Sequence, residues 1–433
     1  MKRLLLITLT FNLIASGLAA ASNKGETRTA QVNIKLSPTD DIFISAKYTA
    51  LEIETWDKNE VEVIASVRFD GKMTDKMNKF LEEFENEVKN KIKLSNGKLT
   101  IDTNLDEPNK VQIGSRAIGI SIGFGEDELK LDYKIKAPAT NSYEITSSYR
   151  DVRLIGSFKS MKIEQYSGEL IGDEIESADF NLKYGSASFN EIKTAKMELY
   201  EQKMSVETFG DLSINAKYSD LQFDQLQTMK SEAYESNFTI GSAQTIEGEF
   251  KYGEIEISNT LAKGKFTLYE TDIEANSIDE MVFISSKYSK LNARKMNAVI
   301  FEESYEDETE FGSLGTFKSL NSKYGKHNIG ELVGSFELNA YEDDLTIKKI
   351  HPTATNIGIE GKYIKATIDT YDLTYNLTGK VKYGKVIYSE SAVNVRKYIK
   401  ESDELEISIE SKKRNGNPLN MKMNGYEIDI YLK

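Results

Sequence analysis

Between Leu182 and Tyr341 the same short corner returns ten times, alternating between two spellings without a break. One is Lys-Tyr followed by Gly or Ser, at Tyr184, Tyr218, Tyr252, Tyr288 and Tyr324. The other is Tyr-Glu, at Tyr200, Tyr234, Tyr269, Tyr305 and Tyr341. A fixed internal period marks a repeat architecture, in which each unit buries its apolar face only by stacking on a neighbour. That constraint outranks anything composition says about the fold.

The apolar positions align the two spellings. In Ala216–Phe223 the inward residues are Ala216, Leu221 and Phe223; in Ala233–Ile240 they are Ala233, Phe238 and Ile240. Each repeat has one inward residue, four corner residues, then an inward-outward-inward strand. The Lys of one coil therefore aligns with the Tyr of the next, and the Tyr of one with the Glu of the next. Coils begin at Leu182, Leu199, Ala216, Ala233, Phe250, Leu268, Ser286, Ser304, Ser322 and Ala340, in steps of 17 and then 18 residues. Ser147 and Gln165 extend the register backwards. Gly361 and Val381 extend it forwards with coils of about 20 residues, where the alternation lapses.

Units this short exclude helical-hairpin repeats and propeller blades, which need more than about 30 residues. They suit two or three short strands joined by tight corners, one turn of a β-solenoid. Ile214, Ala216, Leu221 and Phe223 alternate with polar residues, as half-buried strands do, and the repeat carries no helix-period stripe. Only 5 prolines occur in the chain, which fits backbone that must hydrogen-bond to the coils on either side. The expectation is an all-β, single-stranded β-solenoid (β-helix) of about 13 or more coils of 17–18 residues. At roughly 4.8 Å per coil the stack would run to about 60 Å.

The segments outside the period read differently. Lys2-Arg3, an apolar run from Leu4 to Leu18 and the small residues Ala19-Ala20-Ala21-Ser22 form a secretory signal peptide over 1–21, a reading preferred to a retained membrane helix. No later stretch approaches the roughly 20 apolar residues that span a bilayer. Residues 22–145 form an N-terminal β region. Ile42–Ile53 repeats the corner pattern around Tyr48, and Val61, Val63 and Ala65 lie on one face of a strand. Within this region 72–92 reads as a helix, with Met73, Met77, Phe80, Leu81, Phe84, Val88 and Ile92 on one stripe and Thr74 or Asp75 at its start. The stripe is a packing face rather than a ligand groove, and the helix covers an end or flank of the solenoid. In residues 111–135, Ile118, Ile120, Ile122 and Phe124 alternate with glycine and serine, which reads as a strand lying flat on another layer or as an edge for a partner. The solenoid spans 146–400. Residues 401–433, with Glu404–Ile409, the turn Asn415–Pro418 and Tyr426–Ile430, read as strands that cap the far end.

Composition narrows the chemistry. The absence of cysteine excludes disulfides, thiolate metal sites and a lipoprotein anchor. Formal charge is −14, or −16 without Lys2 and Arg3, which argues against nucleic acid or anionic lipid as a partner. The two histidines, His327 and His351, fall in different coils, and His327 occupies an inward strand position. The acidic pairs Asp173/Glu174, Glu306/Asp307 and Asp343/Asp344 belong to coils far apart and do not converge. No cofactor, metal site or catalytic constellation is expected, and the chain reads as a non-enzyme. A carbohydrate-active lyase or hydrolase of β-helix type is the alternative. The tyrosines themselves admit two readings. Alternation keeps like charges from stacking and permits Lys–Tyr cation–π contacts of about 0.5–1 kcal/mol, with diagonal Tyr–Tyr contacts beside them. Alternatively, the ladder is a stripe offered to a protein or carbohydrate at the cell envelope.

One passage carries a resemblance. Leu131-Asp132-Tyr133-Lys134-Ile135-Lys136-Ala137-Pro138 leads into Tyr143-Glu144-Ile145-Thr146-Ser147-Ser148-Tyr149-Arg150-Asp151-Val152-Arg153-Leu154, and upstream stands Glu54–Val63. This resembles the bacterial putative-adhesin family of exported β-solenoid proteins, a domain of unknown function. An extended strand ending at proline enters a run of Tyr-Gly-Asp-Val-like corners, after an opening hairpin. Arg150 departs from the usual Gly, and Glu follows Tyr in every second coil. The resemblance implies an all-β solenoid in the periplasm, at the outer surface or secreted, and brings no catalytic residues with it.

Overall fold

The computed structural model describes residues 26–70, 73, 75–104, 129–414 and 416–433. The signal segment 1–21, Thr74, the Gly/Ile stretch 111–125 and Asn415 lie outside the described residues. The chain divides into two compact units, Met1–Glu207 and Thr208–Lys433. Each is a stack of the coils that the period predicts.

Asp220–Tyr234 shows how one coil is made. Leu221, Phe223, Leu226, Met229, Ser231 and Ala233 point inward. Two adjacent outward residues interrupt the alternation at Asp224-Gln225 and again at Gln227-Thr228. A strand cannot place neighbours on one face without turning, so each such pair is a bend. With the tyrosine corner, these bends close the coil.

Coils then stack in parallel register. Leu221 lies beside Phe238 and Phe223 beside Ile240, a step of 17; Ile273 lies beside Leu291 and Ala275 beside Ala293, a step of 18. Like thus falls on like: the rings of Phe250, Phe266, Phe283 and Phe301 follow one another at 4.6–6.2 Å through the core. Burying each such side chain contributes about 1.5–3 kcal/mol.

In the first unit the lowest full coil, Asp41–Lys47 with Ala50–Trp56, is overlaid by Ser142–Ser148 and the strand that starts at Val152. Beneath it come later parts of the chain, Lys98–Asp102 and Leu129–Pro138, both parallel to it. Beyond them the sheet changes to antiparallel: Leu129–Pro138 pairs with Glu60–Phe69, and that strand with Glu26–Lys35. The expected helix forms over Asp75–Lys91, with Asp75 in its first turn and Lys89 and Lys91 in its last, matching the helix dipole. Met77, Leu81, Phe84 and Val88 are buried, and the helix packs on Glu26–Lys35.

The end of the second unit departs from the sequence reading. Gly361 and Val381 do not begin consecutive coils. The strand Leu419–Tyr426 lies between them, pairing in parallel with Asn356–Lys362 on one side and Tyr375–Lys382 on the other. Asp429–Leu432 likewise lies between Lys365–Ile368 and Lys385–Ile387. Tyr426–Ile430 is therefore an interleaved coil and not a far-end cap. Glu404–Ser411 does close the stack, running antiparallel on Tyr375–Lys382, and Val393–Glu401 pairs on its outer side. Interleaving brings Gly425 onto Gly361, at φ of 152° and 140°. A Cβ on Gly425 would stand 1.9 Å from the Gly361 carbonyl oxygen, so no other residue fits there.

Candidate functional site

The corner is built around one left-handed residue. In the Lys-Tyr spelling it is the tyrosine: φ is 59° at Tyr184, 55° at Tyr218 and 58° at Tyr252. In the Tyr-Glu spelling it is the glutamate: 47° at Glu201, 45° at Glu235 and 46° at Glu270. This is the alignment expected from the apolar positions. A left-handed non-glycine residue costs about 1–2 kcal/mol, and the stack offsets it. The turned N–H donates to the next coil, Tyr218 to the Tyr234 carbonyl at 3.0 Å and Glu235 to the Lys251 carbonyl at 2.8 Å.

Alternation has a geometric result that the sequence reading only half anticipated. Tyrosines occupy the first corner position in one coil and the second in the next, so their rings zigzag. In the second unit, successive rings from Tyr218 through Tyr234, Tyr252, Tyr269, Tyr288, Tyr305, Tyr324, Tyr341, Tyr363 and Tyr426 to Tyr383 lie 5.2–5.8 Å apart, at 64–81° to one another. In the first unit Tyr149, Tyr166, Tyr184 and Tyr200 follow at 5.0–5.5 Å and 59–69°. Edge-to-face pairs of this kind add about 0.5–1.5 kcal/mol beyond the area they bury. The one step between corners of like spelling, Tyr48 to Tyr149, is stacked at 14° instead. Spelling therefore sets ring geometry.

The Lys-over-Tyr register is also present, with Lys251 between Tyr234 and Tyr269. The cation–π contacts of Lys47 and Lys382, however, go to the tyrosine of the same corner, at 5.1 and 5.4 Å. All ten tyrosines singled out in the sequence fall in these columns. Tyr48, Tyr149, Tyr166, Tyr363, Tyr383 and Tyr426 extend them. The interleaved strand explains the apparent lapse: Tyr426-Glu427 stands between Lys362-Tyr363 and Lys382-Tyr383, so the two spellings alternate in space where they fail to in sequence.

The columns are open to solvent. Lys-Tyr tyrosines are about two-fifths exposed, 40% at Tyr252 and 42% at Tyr288, and Tyr269 and Tyr305 are half-buried. Glu235 and Glu306, hydrogen-bonded to Tyr234 and Tyr305, hold those phenols above the ordinary tyrosine value. Partial desolvation and then the adjacent carboxylate do the same at Tyr269, Tyr341 and Tyr426. The surface presented is a run of neutral phenols flanked by Lys and Glu.

The third corner residue is where the sequence reading fell short. It is not part of an exposed turn but faces inward: Gln202, Ser219, Ser236, Thr271, Ser289, Asp307 and Asp343 are all buried. The left-handed residue aims the next N–H along the stack, away from backbone acceptors, and the third side chain of the following coil receives it. Gly185 donates to Gln202, Ser219 to Ser236, Thr271 to Ser289, Ser289 to Asp307 and Gly325 to Asp343, at 2.9–3.2 Å.

Two of the acidic pairs lie closer together than the sequence reading, which put them in coils far apart, had them. Asp307 and Asp343 lie only two coils apart, and both point inward. Asp343 accepts from Ser322 and meets His327 Nε2 at 3.2 Å, while His327 Nδ1 meets Thr309 at 3.0 Å. Burial raises the Asp307 carboxyl, opposed by hydrogen bonds from Ser289, Ser304 and Ser286 and by the charge of His327. His327 is thus a core histidine with both nitrogens engaged, as its inward position implied. His351 bonds locally to Thr353. Asp173 and Glu174 accept from Gly156 and Ser157 of the preceding coil.

No family model matches the chain, and no curated protein does. Among solved structures it is similar to a putative cell adhesion protein from Clostridium sporogenes ATCC 15579, at 9% identity over 94% of this chain and 100% of that one, with a TM-score of 0.19. It is also similar to a putative lipid binding protein from Parabacteroides distasonis ATCC 8503, at 12% identity over 69% of this chain and 97% of that one, with a TM-score of 0.23. At such scores the likenesses add nothing to the coil geometry, which itself makes the chain the β-solenoid that the adhesin resemblance implied.

Proposed function

We propose that this chain is an exported, non-enzymatic β-solenoid of the adhesin-like or scaffold kind, working in the periplasm, at the outer surface or in the medium. Its Lys/Tyr/Glu columns are the surface that meets a protein or carbohydrate of the cell envelope. The observation that carries this reading is the solvent-facing file of neutral phenols, repeated coil after coil, with a Lys or a Glu next to each ring of the second unit. Such a surface suits a polymeric partner that repeats along it. No helix among the described residues is long and apolar enough to cross a membrane. Of the acidic pairs, Asp173 and Glu174 are engaged in coil-to-coil bonds, and Asp307 and Asp343 are buried.

The test changes Tyr200, Tyr234 and Tyr269 together to Ser and compares the variant with the parent on a glycan array and on purified envelope proteins. Circular dichroism checks the fold of both. The parent is expected to bind and the folded variant to lose binding. Equal binding by the two, or none by the parent, sinks the contact role.

A further inference from the structure

The column of the second unit has a chemical property that contact alone does not use. From Tyr218 to Tyr383 no ring is farther than 5.8 Å from the next. Every member is the same redox-active side chain, in one of two alternating settings. Electron exchange falls off steeply with separation, so touching rings of one chemical kind are the favourable case for stepwise transfer. A phenol must also lose its proton as it is oxidised. Glu235 and Glu306 already accept from Tyr234 and Tyr305, and the exposed Lys-Tyr tyrosines face water. The chain has no cysteine, and its single tryptophan, Trp56, lies in the first unit. The methionines of the second unit, Met229, Met281, Met296, Met421 and Met423, lie buried in the core.

We propose that the tyrosine column of the second unit conducts one-electron oxidation along its length, drawing oxidising equivalents from an attacking one-electron oxidant and spreading them over surface phenols. The oxidant takes one electron from a ring, and the phenolic proton passes to the bonded glutamate or to water. The resulting tyrosyl radical takes an electron from the neighbouring ring and recovers a proton, and the neighbour releases its own. Where two radicals meet, a carbon–carbon bond joins adjacent rings and the two ring hydrogens at the new bond pass to the phenoxyl oxygens, giving dityrosine for two electrons and two protons removed overall. The core methionines beneath are spared sulfoxide formation, which would place a polar group among packed apolar side chains. This role is separate from envelope contact, since phenylalanine keeps the ring and its packing but resists oxidation.

The absence of cysteine permits a site-specific test. Exposed Lys217 is changed to Cys in the full mature chain and labelled with a ruthenium polypyridyl complex. The complex is photo-oxidised with an electron acceptor in solution, and products are mapped by peptide mass spectrometry against unlabelled protein mixed with the free complex. Oxidised tyrosine and dityrosine are expected as far as Tyr363, Tyr426 and Tyr383. In Tyr288→Phe/Tyr305→Phe, products beyond position 305 are expected to fall to the level in unilluminated samples, while those between Tyr218 and Tyr269 persist. The single changes Tyr288→Phe and Tyr305→Phe give the same reading across a narrower gap if the pair disturbs the fold. The proposal is overturned if distant tyrosines oxidise equally in the phenylalanine variants, or if products in the parent stop at the rings beside residue 217.

Discussion

The outermost strand at the start of the first unit, Glu26–Lys35, packs under a helix; its counterpart at the end of the second, Val393–Glu401, is exposed at every residue after the first. Both are antiparallel additions to a parallel stack, and both face the same hazard. An unpaired edge offers its N–H and C=O groups to any other strand. The first unit answers with cover. The second answers with charge and irregularity: Arg396, Lys397 and Lys400 lie along the edge, and a bulge breaks the register between Val395 and Lys397. Glu410 and Glu406 pair with Arg396 and Lys397 from within the hairpin, which keeps these cations in place. One end is guarded by packing and the other by repulsion, so they should fail in different ways.

The largest effect is expected from stopping the chain after Lys413. This removes Leu419, Met421, Met423, Ile428, Ile430 and Leu432 from the core. At about 2 kcal/mol each, the loss is comparable with the whole net stability of a typical domain, about 5–15 kcal/mol. Hydrogen exchange should show Asn356–Lys362 and Tyr375–Lys382 unprotected while the first unit keeps its protection. Retained protection there would mean that the interleaved strand is not holding the end together. Next comes Phe84→Ala, which empties the centre of the helix face and should cost about 3–5 kcal/mol, read as a lower unfolding midpoint for the first unit. The smallest effect on stability belongs to Lys397→Val with Lys400→Val, within about 0.5 kcal/mol for exposed positions. That pair should nonetheless produce concentration-dependent association in analytical ultracentrifugation. A variant that stays monomeric would show that the bulge alone protects the edge.

Much of this was legible in the sequence, because a stack imposes the same demand at every coil. The step of 17 or 18, the pairing of Tyr with Glu at the left-handed position and the inward Leu221, Phe223 and Ala233 all follow from periodicity. The order of strands at the ends was not legible, since no local pattern says where Leu419–Tyr426 will insert. A signal did exist: Lys362-Tyr363 and Lys382-Tyr383 stand in succession without the Tyr-Glu that should separate them, and Tyr426-Glu427 is the missing member. The buried third column was hidden for another reason. Ser219, Asp307 and Asp343 are residues that also make exposed turns, and only the direction of the N–H after a left-handed residue assigns them to the interior. The edge-to-face columns likewise needed two neighbouring coils to be seen.

Interleaving also bears on the order in which the chain can be completed. In the second unit, coils up to Ser335–Tyr341 can be laid down one on another as they emerge, each on a finished template. Tyr375–Lys382 cannot, because the surface it rests on is made of residues synthesised some forty positions later. It must wait, unpaired on that side, until Leu419–Tyr426 has passed it and settled against Asn356–Lys362. The end of the second unit therefore closes like a latch, in a single late step, and a chain halted before that point has nothing to close with.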